Sequence, residues 1–128
     1  SSGQLLEAMR RTGQPWAVSA PAQAAGIAAL GETEYVRRTR AVIQTERPRL
    51  AAGLRDLGFQ VVPGEANYLL FSSSAPLLEP LRERGILLRS CGNYSGLDGS
   101  WYRTAVRTAA ENQRLLTALR DIRKEGNR

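Results

Sequence analysis

Two arginines, Arg89 and Arg103, are the residues of this sequence best suited to chemistry, and they bracket a glycine-rich loop. They belong to the stretch G-I-L-L-R-S-C-G-N-Y-S-G-L-D-G-S-W-Y-R-T-A-V-R, residues 85–107. Two short apolar runs, 86–88 and 102–106, are of strand length. The loop between them holds Gly92, Gly96 and Gly99 with Asn93 and Asp98, residue types that tolerate positive φ and make turns. If both runs join one sheet, Arg89 and Arg103 come to the same edge of a pocket. A guanidinium presents a planar fork of donors that matches a carboxylate or a phosphate in bidentate fashion. The chemistry expected of the pair is therefore a grip on the anionic ends of a small substrate. The competing reading is two solvated strand-end arginines.

What the chain lacks narrows the chemistry further. It has no His, which removes the commonest general base and the commonest metal ligand, and no metal site is expected. Its only lysine, Lys124, sits in the polar tail, so 17 of the 18 basic residues are Arg. Cys91 is the single cysteine and cannot form an internal bridge, which suits a reducing, cytoplasmic compartment. With no His to activate it, Cys91 reads as a small buried filler. Asn67 is a possible minor ligand contact, against a plainer reading as a buried Asn satisfying a loop backbone. Arg107 shares the strand parity of Arg103 but lies nearer the last helix, and it reads as structural.

These residues need elements to position them. The 128 residues can bury a core without disulfide or metal. Residues 4–11 form a short amphipathic helix stopped by Gly13. Residues 14–18 are a connector in which Trp16 reads as an interdomain or dimer contact. Ser19 caps an Ala-rich helix that tolerates Pro21 in its first turn, reaches Leu30 and ends at Gly31. Residues 33–57 form the longest periodic segment. Val36, Ile43, Leu50, Leu54 and Leu57 make its apolar stripe, with Glu46 among the residues mainly off it, a kink at Pro48 and a stop at Gly58. Strands follow at 59–62 and 66–72 around a Pro63-Gly64 turn, then a helix at 74–84 capped by Ser74 and stopped by Gly85. After the two arginine-bearing strands, Thr108-Ala-Ala-Glu111 is a capping box before Leu115, Leu116, Leu119 and Ile122. This order predicts an α+β fold: a two-layer small domain with helices packed on one face of a small, mainly antiparallel sheet, preceded by a long connecting helix. Residues 1–31 read as an attachment to something else, and 32–128 as the small domain.

The net charge of +6 permits anionic partners, yet the basic residues are scattered among acidic ones, so nucleic acid is not the expected partner. An RNA-binding α+β module stays open as an alternative, although neither strand pair is expected to show aromatics on an open face. So does a regulatory domain that uses the two arginines for a small anion without chemistry. No run reaches the length of a membrane span and no signal-peptide pattern opens the chain, so no membrane partner is expected.

Q-P-W-A-V-S-A-P-A-Q-A-A-G-I-A-A-L at 14–30, Y-V-R-R-T-R at 35–40, E-A-N-Y-L-L-F at 65–71, the stretch at 85–107 and E-N-Q-R-L-L at 111–116 occur in one order. Together they resemble the C-terminal part of the pyridoxal-phosphate enzymes of aspartate-aminotransferase fold. Within these the chain is most similar to the threonine-phosphate decarboxylases of cobalamin biosynthesis, with the histidinol-phosphate aminotransferases as close kin. The resemblance implies that Arg103 binds the substrate α-carboxylate and that Arg89 lies near a second acidic group, the substrate being an amino-acid phosphate. It implies pyridoxal 5'-phosphate as the cofactor of a full-length, homodimeric, cytoplasmic parent. It also implies that 1–31 are the terminal helices of the cofactor domain. The family's Schiff-base lysine lies upstream of the segment matching Gln14, where this chain has none. The expectation is thus a fragment, inactive alone and without cofactor of its own.

Overall fold

The computed structural model describes residues 2–13 and 18–126. The connector with Trp16 lies outside the described residues. Two units make up the chain, Ser1–Arg37 and Arg38–Arg128, and each is taken by itself.

The first unit is helical. Helix α1 (Gly3–Thr12) begins at Ser2, whose side chain accepts from the N–H of Leu5, and stops at Gly13, whose N–H donates to Met9. Helix α2 (Ala20–Leu30) carries Pro21 in its first turn, where no helical N–H is needed, and ends at Gly31. Ser19 holds the cap position but makes no side-chain cap bond; Gln23 instead reaches back to the carbonyl of Val18 at 2.9 Å. Neither helix contains a buried residue. Because α2 is Ala-rich with only Gln23 polar, it is apolar all round, with Ile27 and Leu30 73% and 84% exposed.

Helix α3 (Thr33–Asp56) runs continuously through Pro48 and feeds the second unit. Its apolar stripe holds at the C-terminal end, where Leu50 and Leu54 are buried, and fails at Val36, which is exposed. Glu46, expected off the stripe, is buried as well. The chain then turns at Gly58 (φ +81°), a conformation that favours glycine, into β1 (Gln60–Val62) and β2 (Tyr68–Ser72). The next helix, α4 (Leu78–Glu83), is shorter than expected and begins after Leu77, not at Ser74. An earlier start would set Pro80 in the helix interior, whereas here it falls in the first turn. Gly85 (φ +69°) ends α4.

Residues 86–88 do not form the predicted strand. The N–H of Ile86 is already committed to Leu81 at the end of α4, so pairing starts only at β3 (Arg89–Ser90). Strand β4 (Trp101–Ala105) and helix α5 (Ala109–Gly126) complete the unit. The capping box at the start of α5 forms in altered geometry: the Thr108 hydroxyl and backbone N–H both donate to the Glu111 carboxylate, at 2.7 and 3.3 Å.

The sheet is antiparallel throughout, in the order β1-β2-β4-β3. Alternation sends Val61, Leu69, Phe71 and Tyr102 to one face, where Leu50 and Leu54 of α3, Leu81 of α4 and Leu115 and Leu119 of α5 cover them. Phe71 lies at the centre, fully buried, with its ring 5.5 Å from Phe59 and 5.9 Å from Tyr102. Helices therefore pack on one face of a small antiparallel sheet, an α+β two-layer domain.

Candidate functional site

The same alternation dictates what the other sheet face carries. Tyr68, Leu70 and Ser72 of β2 share it with Trp101, Arg103 and Ala105 of β4 and with Arg89 of β3. Arg89 and Arg103 are direct register partners in neighbouring antiparallel strands. Such partners have Cβ atoms about 4.5–5.5 Å apart on one face. The expectation that one sheet brings the two arginines together thus holds. The clefts around Phe59 and Arg123, around Ile86 and Arg114, and around Gln44 and Arg55 include neither arginine. The pair occupies an open sheet face.

The loop between the strands fixes the register. Cys91 donates its N–H to Trp101, extending the β3–β4 contact by one step, and its side chain is buried, as expected of a filler. Turns then follow from Tyr94 to Cys91 and from Leu97 to Tyr94, with Gly96 at φ +85°. A Cβ on Gly92 would lie 3.3 Å from the backbone of Gly99, so the loop closes where both flanks are glycine. At its end the Ser100 hydroxyl and N–H donate to Asp98, holding that carboxyl below its ordinary value of 3.8.

The two arginines differ in setting. Arg103 projects from a central strand between Leu70 on one side and Arg89 on the other, and its guanidinium carbon sits over the Tyr68 ring, 4.7 Å from the centroid. Arg89 projects from the edge strand and is exposed. Among the described residues neither guanidinium has a carboxylate partner, unlike Arg37, Arg49, Arg82, Arg84 and Arg107. Like charges directly opposed across strands are destabilising by about 0.2–1 kcal/mol. A sheet built only for stability gains nothing from this arrangement, whereas an anion between the two would reverse its sign.

The remaining sequence candidates separate cleanly. Asn67 is exposed, not buried; its carbonyl accepts from the N–H of Val106, which tethers the start of β2 to the end of β4. Arg47 on α3 steadies the same segment by donating to the carbonyls of Glu65 and Ala66. Arg107 is engaged by Glu111, Nε to Oε1 at 2.8 Å. That contact, with the Thr108 hydroxyl and N–H, holds Glu111 down to about 2 from its ordinary 4.5.

Sequence reasoning missed three features. Asn112, 5% exposed, pairs with the backbone of Arg107 at two points, accepting from its N–H at 3.0 Å and donating to its carbonyl at 2.9 Å. Asn112 also donates to buried Glu46 at 3.3 Å, and Glu46 in turn pairs with Arg49 at 2.9 Å. Third, Tyr68 and Trp101 do place aromatics on the open face of the two central strands, contrary to expectation. The alternation within Y-L-L-F-S and W-Y-R-T-A carried that signal.

A four-stranded antiparallel sheet with helices on one face and two opposed arginines on the other makes this an α+β domain, and comparison with known proteins supplies its family. A family model described as aminotransferase class I and II matches residues 1–119. The chain belongs to that family. It is 40% identical over 126 residues to a threonine-phosphate decarboxylase of Salmonella typhimurium, covering 95% of this chain and 35% of that protein. A histidinol-phosphate aminotransferase of Symbiobacterium thermophilum is 36% identical, with 96% and 34% covered. The crystal structure of the histidinol-phosphate aminotransferase from Clostridium acetobutylicum superposes with a TM-score of 0.78 at 27% identity, covering 95% of this chain and 38% of that one. The chain thus spans about a third of the length of the relatives it matches.

Proposed function

We propose that this chain contributes the substrate-anion grip of a pyridoxal-phosphate-dependent enzyme acting on an amino-acid phosphate. The reaction favoured is decarboxylation of threonine phosphate, as part of cobalamin biosynthesis in the cytoplasm. The observation that carries the reading is the direct opposition of Arg89 and Arg103 on one sheet face, neither with a carboxylate partner among the described residues. In this reading residues 32–128 are the C-terminal small domain, Arg103 takes the α-carboxylate and Arg89 the phosphate. Two guanidinium groups then have two anions to hold. Holding the substrate at both ends fixes its rotation, and so which bond at the α-carbon is presented for cleavage. Transamination of histidinol phosphate is the second reading, favoured by the 36% identity to the Symbiobacterium enzyme.

The cofactor, when bound, supplies an electron sink for the charge left by the broken bond. The residues present do not by themselves fit a site for it. Their one lysine, Lys124, is exposed on the last turn of α5, and α5 packs on the sheet face opposite the arginine pair. We therefore assign cofactor binding to parts of the enzyme outside this chain, with residues 1–31 as helices of that cofactor domain. Self-association belongs to the same proposal, because α2 exposes Ile27 and Leu30. Light scattering over a concentration series should show oligomers, and a strict monomer would remove this element.

The test of the reading is turnover in the full-length enzyme that carries the chain. Arg103→Ala should lower kcat/KM by roughly thirty- to a thousandfold, the loss of about 2–4 kcal/mol of charge-assisted contact. Arg107→Ala, which removes an exposed pair with Glu111, should lower it far less. Equal losses in two folded variants would refute the assignment.

A further inference from the structure

We infer that Tyr68 is a positioning residue for Arg103: its ring restrains the guanidinium without using any of the donors that an anion needs. The inference rests on the reading of Arg103 as an anion ligand and goes beyond it. In the register, Tyr68 opposes Ala105 and Leu70 opposes Arg103, so Tyr68 is the diagonal neighbour of Arg103 on the open face. Diagonal neighbours in antiparallel strands lie within reach when one side chain is aromatic and the other long. The guanidinium carbon accordingly lies 4.7 Å from the ring centroid.

A carboxylate partner would restrain Arg103 equally well but would consume the fork of N–H groups and cancel the charge. The ring does neither. It interacts with the π face of the cation, and among the described residues the Arg103 guanidinium donates no hydrogen bond, so its five donors stay available. Leu70, the register partner of Arg103 on the same strand as Tyr68, offers no side-chain acceptor either. Restraint supplied before binding reduces the rotamer entropy lost when the anion arrives. The ring also resists displacement of Arg103 by its like-charged neighbour Arg89.

Tyr68 is 41% exposed, so its replacement leaves the core intact and can be read through binding. The experiment is a titration of the ¹⁵N-labelled chain with inorganic phosphate, followed at the Arg103 Nε–Hε resonance, with thermal melts as controls. In the wild type this resonance should lie upfield from the Tyr68 ring current and move on phosphate addition. Tyr68→Phe should retain both properties. Tyr68→Leu should lose the upfield shift and bind phosphate about two- to fivefold more weakly, at unchanged melting temperature. Wild-type affinity in Tyr68→Leu, with Arg103→Ala silent, overturns the positioning role and leaves the anion site standing. Weakening in Tyr68→Phe equal to that in Tyr68→Leu assigns the effect to the hydroxyl and overturns a role for the ring. Phosphate binding by Arg103→Ala like the wild type overturns Arg103 as an anion ligand, and no binding by the wild type overturns the anion site itself. Should Tyr68→Leu fail to fold, the presence or absence of the upfield shift in the wild type decides.

Discussion

Arg89→Gln removes a charge directly opposite Arg103 while keeping a side chain of similar reach on the edge strand. If the pair is held together against its own repulsion, the variant is more stable than the wild type when no anion is present. Opposed like charges across strands account for about 0.2–1 kcal/mol. For 128 residues the unfolding entropy near the midpoint is roughly 0.27 kcal/mol per degree, so the melting temperature should rise by about 1–4 °C. The measurement is thermal unfolding by circular dichroism in a low-salt buffer without phosphate. Two controls separate repulsion from a general surface effect. Screening shortens the interaction range to about 3 Å at 1 M salt, so the difference should collapse there. On the proposed anion grip, inorganic phosphate should raise the wild-type melting temperature more than that of the variant. A lower melting temperature for Arg89→Gln at low salt would refute the reasoning. It would mean that Arg89 makes a stabilising contact, and that the opposed pair carries no net repulsion.

Two further outcomes concern the scaffold behind the pair. Asn112→Ala leaves both polar groups of Arg107 and one oxygen of buried Glu46 without their partner, so urea unfolding should show a loss of roughly 2–4 kcal/mol; a loss below about 1 kcal/mol contradicts the clamp. Glu111 has its folded-state pKa lowered to about 2 from 4.5, so its contribution to stability is present above about 4.5 and is lost as pH falls toward 2. Glu111→Gln should therefore narrow its stability deficit against the wild type across that window, and a constant deficit from pH 6 to pH 2 contradicts the ion pair.

Much of the fold was legible because its signals are local. Gly13, Gly31, Gly58 and Gly85 stop helices wherever a helical pattern ends, and the Pro63-Gly64 turn joins two strands that do pair. The errors arose where a local signal met a competing bond. Ser74 and the two prolines suggested a helix from 74, but the Ser73 hydroxyl turns the chain by accepting from the N–H of Ala75 at 3.2 Å, and α4 starts later. Residues 86–88 have strand composition, yet the N–H of Ile86 closes the end of α4. Glu46 looked like a surface residue because its partner Asn112 lies 66 positions away. No periodicity reports a pair of that kind.

The site was legible in part for the same reason. Residue type and spacing pointed to Arg89 and Arg103, but whether two strands present such residues to one face depends on register, and a slip of one residue reverses the outcome. The register here is set by the 91–100 loop closing at Gly92 and Gly99, and by Tyr102. Tyr102 is 3% exposed, lies against Phe71 and accepts from the N–H of Leu77 through its hydroxyl at 3.4 Å. Burying that ring on the helical side of the sheet obliges Arg103, the next residue, to face the other way. The apolar core thus decides where the charge goes. The strand that anchors Arg103 is paired on both sides, while Arg89 stands on a two-residue edge strand. Arg103 is therefore fixed by the core, whereas Arg89 is held mainly by the loop.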